Sequence, residues 1–144
     1  MSYAEDLLSG KETLADLYQL SAAELYAVAQ IGYNFIQNNY WEEAICIFEG
    51  LNVLNPRDPY FSATLSSLYL REGKWNEAIL YSTKAIEDLP EALFAFVNRG
   101  KAYLMIGDKK AAVADFMHVI NHIKEKNSEL KEYVLSMLEM TEGI

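Results

Sequence analysis

An interval of 34 residues recurs along this chain and constrains it more than any single motif does. Ala44, Ala78 and Ala112 stand 34 apart, and Phe35, Tyr69 and Tyr103 keep the same interval nine residues upstream. Gly32, Ser66 and Gly100 make a third series, Leu51, Ala85 and Val119 a fourth, and Pro56 and Pro90 a fifth. Phe48 and Phe116 match with Ser82 between them. Several positions recurring together mark a repeat architecture, in which units stack because none can bury its apolar face alone.

Each unit reads as two helices. Ser21 and Glu24 make a capping box that starts the first helix near Ala22. Asp58-Pro59 supplies an N-cap and a proline at the first helical position, while Asn39, Gly73 and Gly107 tolerate the left-handed conformation that ends a helix. Antiparallel helices approach closely only where side chains are small, which predicts crossings at Gly32 with Ala44, Ser66 with Ala78 and Gly100 with Ala112. The aromatic at 35, 69 or 103 fills the space beside each crossing.

These offsets resemble the tetratricopeptide repeat over about residues 25–126. The expected fold is all-α: three tandem helix-turn-helix repeats (about 25–58, 59–92 and 93–126, within 22–126) in a right-handed superhelical solenoid. Residues 1–21 are expected to form an N-terminal helical and dimerisation segment, and 127–144 a C-terminal capping helix. The third unit has Lys124 where the others have proline, so its second helix is expected to run on toward Lys126.

The functional classes narrow by charge and by missing chemistry. With 21 acidic against 12 basic residues and a net charge of −9, the molecule repels phosphate backbones and anionic lipid, so neither nucleic acid nor membrane is an expected partner. Cys46 is the sole cysteine, excluding an intrachain disulfide, and is expected to be packed or half-buried. The first residues lack a signal-peptide pattern and no apolar run reaches membrane-spanning length, so a cytoplasmic protein is expected. His118 and His122, four apart and near Asp115, lack a third metal ligand and are expected to face solvent. Without a phosphate loop, dinucleotide fingerprint or nucleophile elbow, the chain is expected to be no enzyme and to use no metal or cofactor.

In a helix-pair solenoid the first helix of each unit lines the inner curve. Tyr26, Ala29, Tyr33 and Ile36 make one such stripe; Tyr60, Ala63, Ser67 and Leu70 make the second, and Phe94, Val97, Lys101 and Leu104 the third. Val28, Ile31, Gly32 and Phe35 are assigned to the seam between helices. The inner stripes predict a hydrophobic slot for an extended peptide, with Tyr33 its best-placed ring. The lysines, asparagine and arginine with which some tetratricopeptide proteins clamp a chaperone's terminal carboxylate are replaced here by Ala29, Tyr33, Phe94 and Asn98, which argues against that partner.

The run GKETLADLYQLSAAELYAVAQIGYNFIQNNYWEEAICIFEGLNVLNPRDPYF, Gly10 to Phe61, resembles the class II type III secretion chaperones. The shared features are a helical N-terminal segment ending in L-x-x-L, an LY before the first repeat, a GY step, and E-A-x-x-x-F followed by a leucine and a turn. The resemblance implies a bacterial cytoplasmic chaperone that keeps pore-forming translocators soluble by holding an extended Pro-x-Leu-x-x-Pro segment. It implies pockets at Tyr26, Tyr33, Tyr60, Ala63 and Leu70, a homodimer built with the N-terminal helices, and, as in some relatives, contact with a transcriptional activator. Asn39 replaces the glycine usual in the first turn, and Lys101 puts a charge on the third stripe. A chaperone of needle subunits and a general repeat scaffold are the alternatives.

Overall fold

The computed structural model describes residues 3–142. Its helices are α1 (Tyr3–Leu8), α2 (Leu14–Leu17), α3 (Ala22–Gln37), α4 (Trp41–Leu54), α5 (Pro59–Arg71), α6 (Trp75–Asp88), α7 (Leu93–Met105), α8 (Lys109–His122) and α9 (Ser128–Glu142), with a 3-10 turn at Glu125–Asn127. There is no strand among the described residues. The chain divides into two compact units, one through Ser62 and one from Ala63 onward.

The 34-residue period holds down to individual hydrogen bonds. At the end of each first helix Asn39, Gly73 and Gly107 take φ of 63°, 74° and 84°. The next amide then donates five residues back, Tyr40 to Phe35 O, Lys74 to Tyr69 O and Asp108 to Tyr103 O, at 2.8, 3.0 and 2.9 Å. This Schellman closure satisfies carbonyls that the helix end would otherwise leave without partners.

Second helices end alike. Asn55 and Leu89 are extended, as a following proline demands. Ile123 is extended too, at φ −73°, ψ 138°, with no proline after it, so α8 stops at His122 and does not run on toward Lys126. The cause is tertiary: leaving the helix turns Ile123 into the apolar cluster of Phe116, Val119 and Val134.

In the first unit, α2 packs on α4 and α3 packs against α4. The close approach at Gly32 is real: a Cβ there would lie 2.6 Å from Phe48 Cε2 and 2.9 Å from Ile47 Cγ2. Ala44 is itself fully buried. Phe48 also meets Phe61, with ring centroids 6.5 Å apart. The buried stripe of α3 is Leu25, Ala29 and Gly32, whereas Val28 and Ile31, assigned to the seam from sequence, are exposed.

In the second unit, α6 packs on α7, α7 on α8, and α8 and α7 on α9. Gly100 repeats the first unit's device: a Cβ there would fall 2.6 Å from Phe116 Cε1. Between them in sequence, Ser66 and Ser82 hold the glycine and phenylalanine registers and are both fully buried, their hydroxyls donating to Ala63 O and Ala78 O. A buried hydroxyl without an acceptor costs free energy, and these are satisfied within their own helices. Arg99 of α7 forms a two-pronged ion pair with Asp115 of α8, both contacts 2.8 Å, and reaches Thr83 Oγ1 of α6 at 3.3 Å.

Candidate functional site

The stripe residues fall into four registers with four different fates. Tyr26, Tyr60 and Phe94, near the start of α3, α5 and α7, are exposed at 42%, 49% and 42%. Ala29, Ala63 and Val97, expected in the slot, are buried at 0%, 5% and 6% and present almost no surface to a ligand. Helix geometry explains the split. Seven residues return a side chain to nearly the same face, so Tyr33 follows Tyr26, but three residues swing it about 60° away, which carries Ala29 toward the seam.

The third register holds Tyr33, half-buried, Ser67, exposed, and Lys101, half-buried; the fourth holds Ile36, Leu70 and Leu104, all half-buried. Tyr33 does not stand apart from the helix seam, because its ring lies 5.0 Å from that of Phe48 at 56°. It therefore shares its area between the α3–α4 packing and the surface.

Tyr26 is anchored at both ends. Its ring packs on Phe61 at 5.4 Å, and its hydroxyl donates to Asp58 Oδ2 at 2.5 Å. Asp58 Oδ1 meanwhile accepts from the amides of Tyr60 and Phe61 at 2.9 and 3.3 Å as the N-cap of α5. Burial, and next the bond to the Asp58 carboxylate, push the Tyr26 phenol above its ordinary pKa, so the hydroxyl stays a donor at any physiological pH.

Within the second unit a cavity of about 430 Å³ opens beside α5, α7 and α9, with Ser67, Leu70, Lys101, Leu104, Met137 and Met140 in its wall. Lys101 does not fill it; its ammonium lies 5.5 Å from the centre of the Tyr133 ring on α9. Asn98, placed from sequence where a carboxylate clamp would need a cation, donates to Ser66 Oγ at 3.0 Å and so ties α7 to α5.

Two further expectations are corrected. Cys46 is exposed, not packed. His118 does not face solvent freely: it stacks on Phe96 at 4.0 Å and on His122 at 4.1 Å. Burial, then the neighbouring His122, lowers its pKa, outweighing Asp115, whose carboxylate is taken up by Arg99. No group of three or more metal-ligating side chains occurs among the described residues.

The ion pair Arg99–Asp115 was missed from sequence although a signal existed. In the other two units the same registers hold Ile31 with Ile47 and Leu65 with Tyr81, so both members turn polar together in the third unit alone. The α9 wall of the cavity had no such signal, since α9 lies outside the period.

Helix pairs repeating at 34 residues, each carrying an exposed aromatic ring early in its first helix, define a repeat protein of the tetratricopeptide class. No family profile matches the chain. Low calcium response locus protein H of Yersinia pestis is 30% identical over 138 residues, covering 94% of this chain and 82% of the relative. The chain belongs to the family of low calcium response locus protein H.

Solved structures agree on the fold. A type III secretion complex from Aeromonas hydrophila matches with a TM-score of 0.89 at 22% identity, covering 97% of this chain and 95% of that one. The translocator chaperone SycD of Yersinia enterocolitica matches at 0.80 and 24% identity, covering 89% and 97%. PcrH in complex with the chaperone binding region of PopD matches at 0.80 and 20%, covering 86% and 95%. No helix of the described residues is long and apolar enough to cross a membrane.

Proposed function

We propose that this protein is a bacterial cytoplasmic chaperone that keeps type III secretion translocators soluble by holding an extended segment of proline and leucine residues against the exposed faces of its first helices. The observation that carries the reading is the exposed ring at one register of every repeat: Tyr26, Tyr60 and Phe94. Three aromatic side chains at one register are left 42–49% exposed, more than packing alone requires of rings this large, and such rings suit the proline and leucine side chains of a peptide. Tyr33, Ile36, Ser67 and Leu70 supply the neighbouring surface; Ala29, Ala63 and Val97 support it from beneath.

Relatives support the same class of cargo, since SycD has been solved with a peptide of the translocator YopD and PcrH with the chaperone binding region of PopD. Each apolar side chain seated against a ring gains roughly 1.5–3 kcal/mol before ordering costs, giving a modest affinity that suits a cargo which must leave. A SycD structure with an alternative dimer supports a homodimer, and residues 1–21 are the segment proposed to build it.

The test is fluorescence anisotropy of a labelled translocator segment containing Pro-x-Leu-x-x-Pro. Tyr60→Ala and Phe94→Ala, both at exposed positions, should each weaken binding about tenfold or more while leaving the helical signal unchanged. Unchanged affinity in both variants would remove the assignment of these faces.

A further inference from the structure

Three stacked rings run from the core of the second unit to its surface. Phe96 of α7, only 8% exposed, lies under His118 of α8, and His118 under His122, with ring centroids 4.0 and 4.1 Å apart and planes within 23° of parallel. His122 is held by its own Nδ1, which donates to His118 O at 2.7 Å. In the other units the registers of Phe96 and His118 hold Ser62 with Lys84 and Val28 with Gly50, so the stack belongs to the third repeat alone.

The middle ring is the one whose charge matters. Neutral, His118 closes one face of Phe96 as another aromatic would. Protonated, it becomes a cation pressed against the second imidazole, with the Arg99 guanidinium already 5.5 Å from the centre of the same Phe96 ring. Asp115, three residues earlier, is no counter-ion to spare, because both of its oxygens accept from Arg99 at 2.8 Å. The charged ring is poorly placed where it stands. Water and an acceptor are close by: His118 also lines a cavity of about 740 Å³ between the α6–α7 and α8–α9 connections, whose wall holds the Glu91 carboxylate along with His122, Lys124 and Leu93.

From this arrangement we infer a proton-driven switch: protonated His118 leaves the face of Phe96 for the cavity, toward Glu91, and the seat of α9 loosens. The responding element is α9 because Phe96 shares a buried cluster with Val134, on which Leu130, Met137 and Leu138 of α9 also pack. Leu93 joins that cluster to the cavity wall, so uncovering Phe96 admits water at the cluster's edge. The charged and titratable groups around His118 are Asp115 and His122 on its own helix, Arg99 on α7, and Glu91 and Lys124 in the cavity wall. Burial, then His122, hold the pKa of His118 down, so the seated form is favoured above the ordinary histidine range and gives way only as pH falls beneath it. The switch is a property of the free chain and stands independently of the peptide-binding reading.

The test is hydrogen exchange of the full chain, read by mass spectrometry at about pH 7.5 and 5 with exchange times scaled for the intrinsic rates. Amides of α9 should lose protection about fivefold or more at the lower pH while those of α6 keep theirs. The loss should follow the titration of the His118 ring proton in magnetic resonance spectra. His118→Phe keeps the stack but cannot be charged; His118→Gln, equally unable to titrate, replaces it should the first not fold. In either, α9 should be protected alike at both pH values. Glu91→Gln should move the midpoint to lower pH, since the charged ring loses its acceptor.

Equal α9 protection at the two pH values overturns the switch, as does a loss shared equally by α6, which is global unfolding. A pH dependence that survives in the uncharged variants, or a midpoint unmoved in Glu91→Gln, overturns it as well.

Discussion

Replacing Gly100 by alanine should destabilise this protein, although alanine is the better helix former. A Cβ at residue 100 would lie 2.6, 2.9 and 3.0 Å from three carbons of the Phe116 ring, where about 3.5–4.0 Å is comfortable. The ring must therefore retreat by roughly 1 Å. It has nowhere to go, being fully buried among Phe96, Ala112, Val119 and Val134. Overpacking of this kind costs about 1–3 kcal/mol, and the propensity gain returns about 1 kcal/mol, so a net loss of about 1 kcal/mol is expected. Gly50→Ala is the control: it too is helical, its Cβ meets nothing within 4 Å, and it should stabilise by about 0.5–1 kcal/mol. Urea denaturation at equal m-values reads both. In a Phe116→Ala background, itself weaker by about 3–5 kcal/mol, Gly100→Ala should become neutral or stabilising, a coupling that a double-mutant cycle isolates. The close-approach argument is refuted if Gly100→Ala matches Gly50→Ala, or if its penalty persists without the Phe116 ring.

Other perturbations probe the polar links. Asp115→Asn strands the Arg99 guanidinium, four-fifths shielded from water, and should cost toward the lower end of about 3–5 kcal/mol in denaturant melts. Tyr26→Phe keeps the ring on Phe61 but removes the hydroxyl from Asp58; a loss of about 1 kcal/mol is expected, and no loss would mean that the bond adds nothing in water. His118 has a lowered pKa in the folded state, so the unfolded chain binds the extra proton first. Stability is therefore whole above the ordinary histidine pKa and falls as pH drops through the window beneath it, and His118→Gln should flatten the fall in thermal melts between about pH 7 and 5. Ala63→Glu should unfold the protein instead of merely blocking cargo, because Ala63 is only 5% exposed; a folded, binding-deficient product by circular dichroism would contradict the burial.

What the sequence made legible is what the period repeats. The helix stops at Asn39, Gly73 and Gly107, the start at Pro59 and the tight registers at Gly32 and Gly100 follow from local backbone chemistry, and one copy vouches for the next. Failures cluster where the copies diverge or where packing overrides the pattern. The end of α8 at His122 depends on Ile123 entering a cluster that includes Val134 of α9, a contact between segments that no local signal announces. On α3, Val28 and Ile31 have the aliphatic character of a seam, but the helix can bury only one side, and the small pair Ala29 and Gly32 lets α4 come closer there. The complete capping box at Thr13 and Asp16 follows the same rule that marks Ser21 and Glu24, and sequence reasoning missed it.

The correction at Ala29, Ala63 and Val97 changes how binding and stability are separated in this molecule. Were the whole inner stripe exposed, every substitution on it would test cargo affinity; with its second register inside the fold, only the first remains a clean handle. Tyr60 and Phe94 are about half exposed, so truncating them removes surface as well as packing, whereas removing the Tyr33 ring strips the fully buried Phe48 of a neighbour 5.0 Å away. Tyr26 lies between these cases, because its hydroxyl secures the N-cap of α5 and thereby the backbone that carries Tyr60. A cargo side chain that presses on Tyr26 thus acts on the same Asp58 that starts the next helix. On the proposed reading, binding at the first repeat would be coupled through that carboxylate to the orientation of the second ring, and Tyr26→Phe should weaken the contribution of Tyr60 to affinity, not only its own.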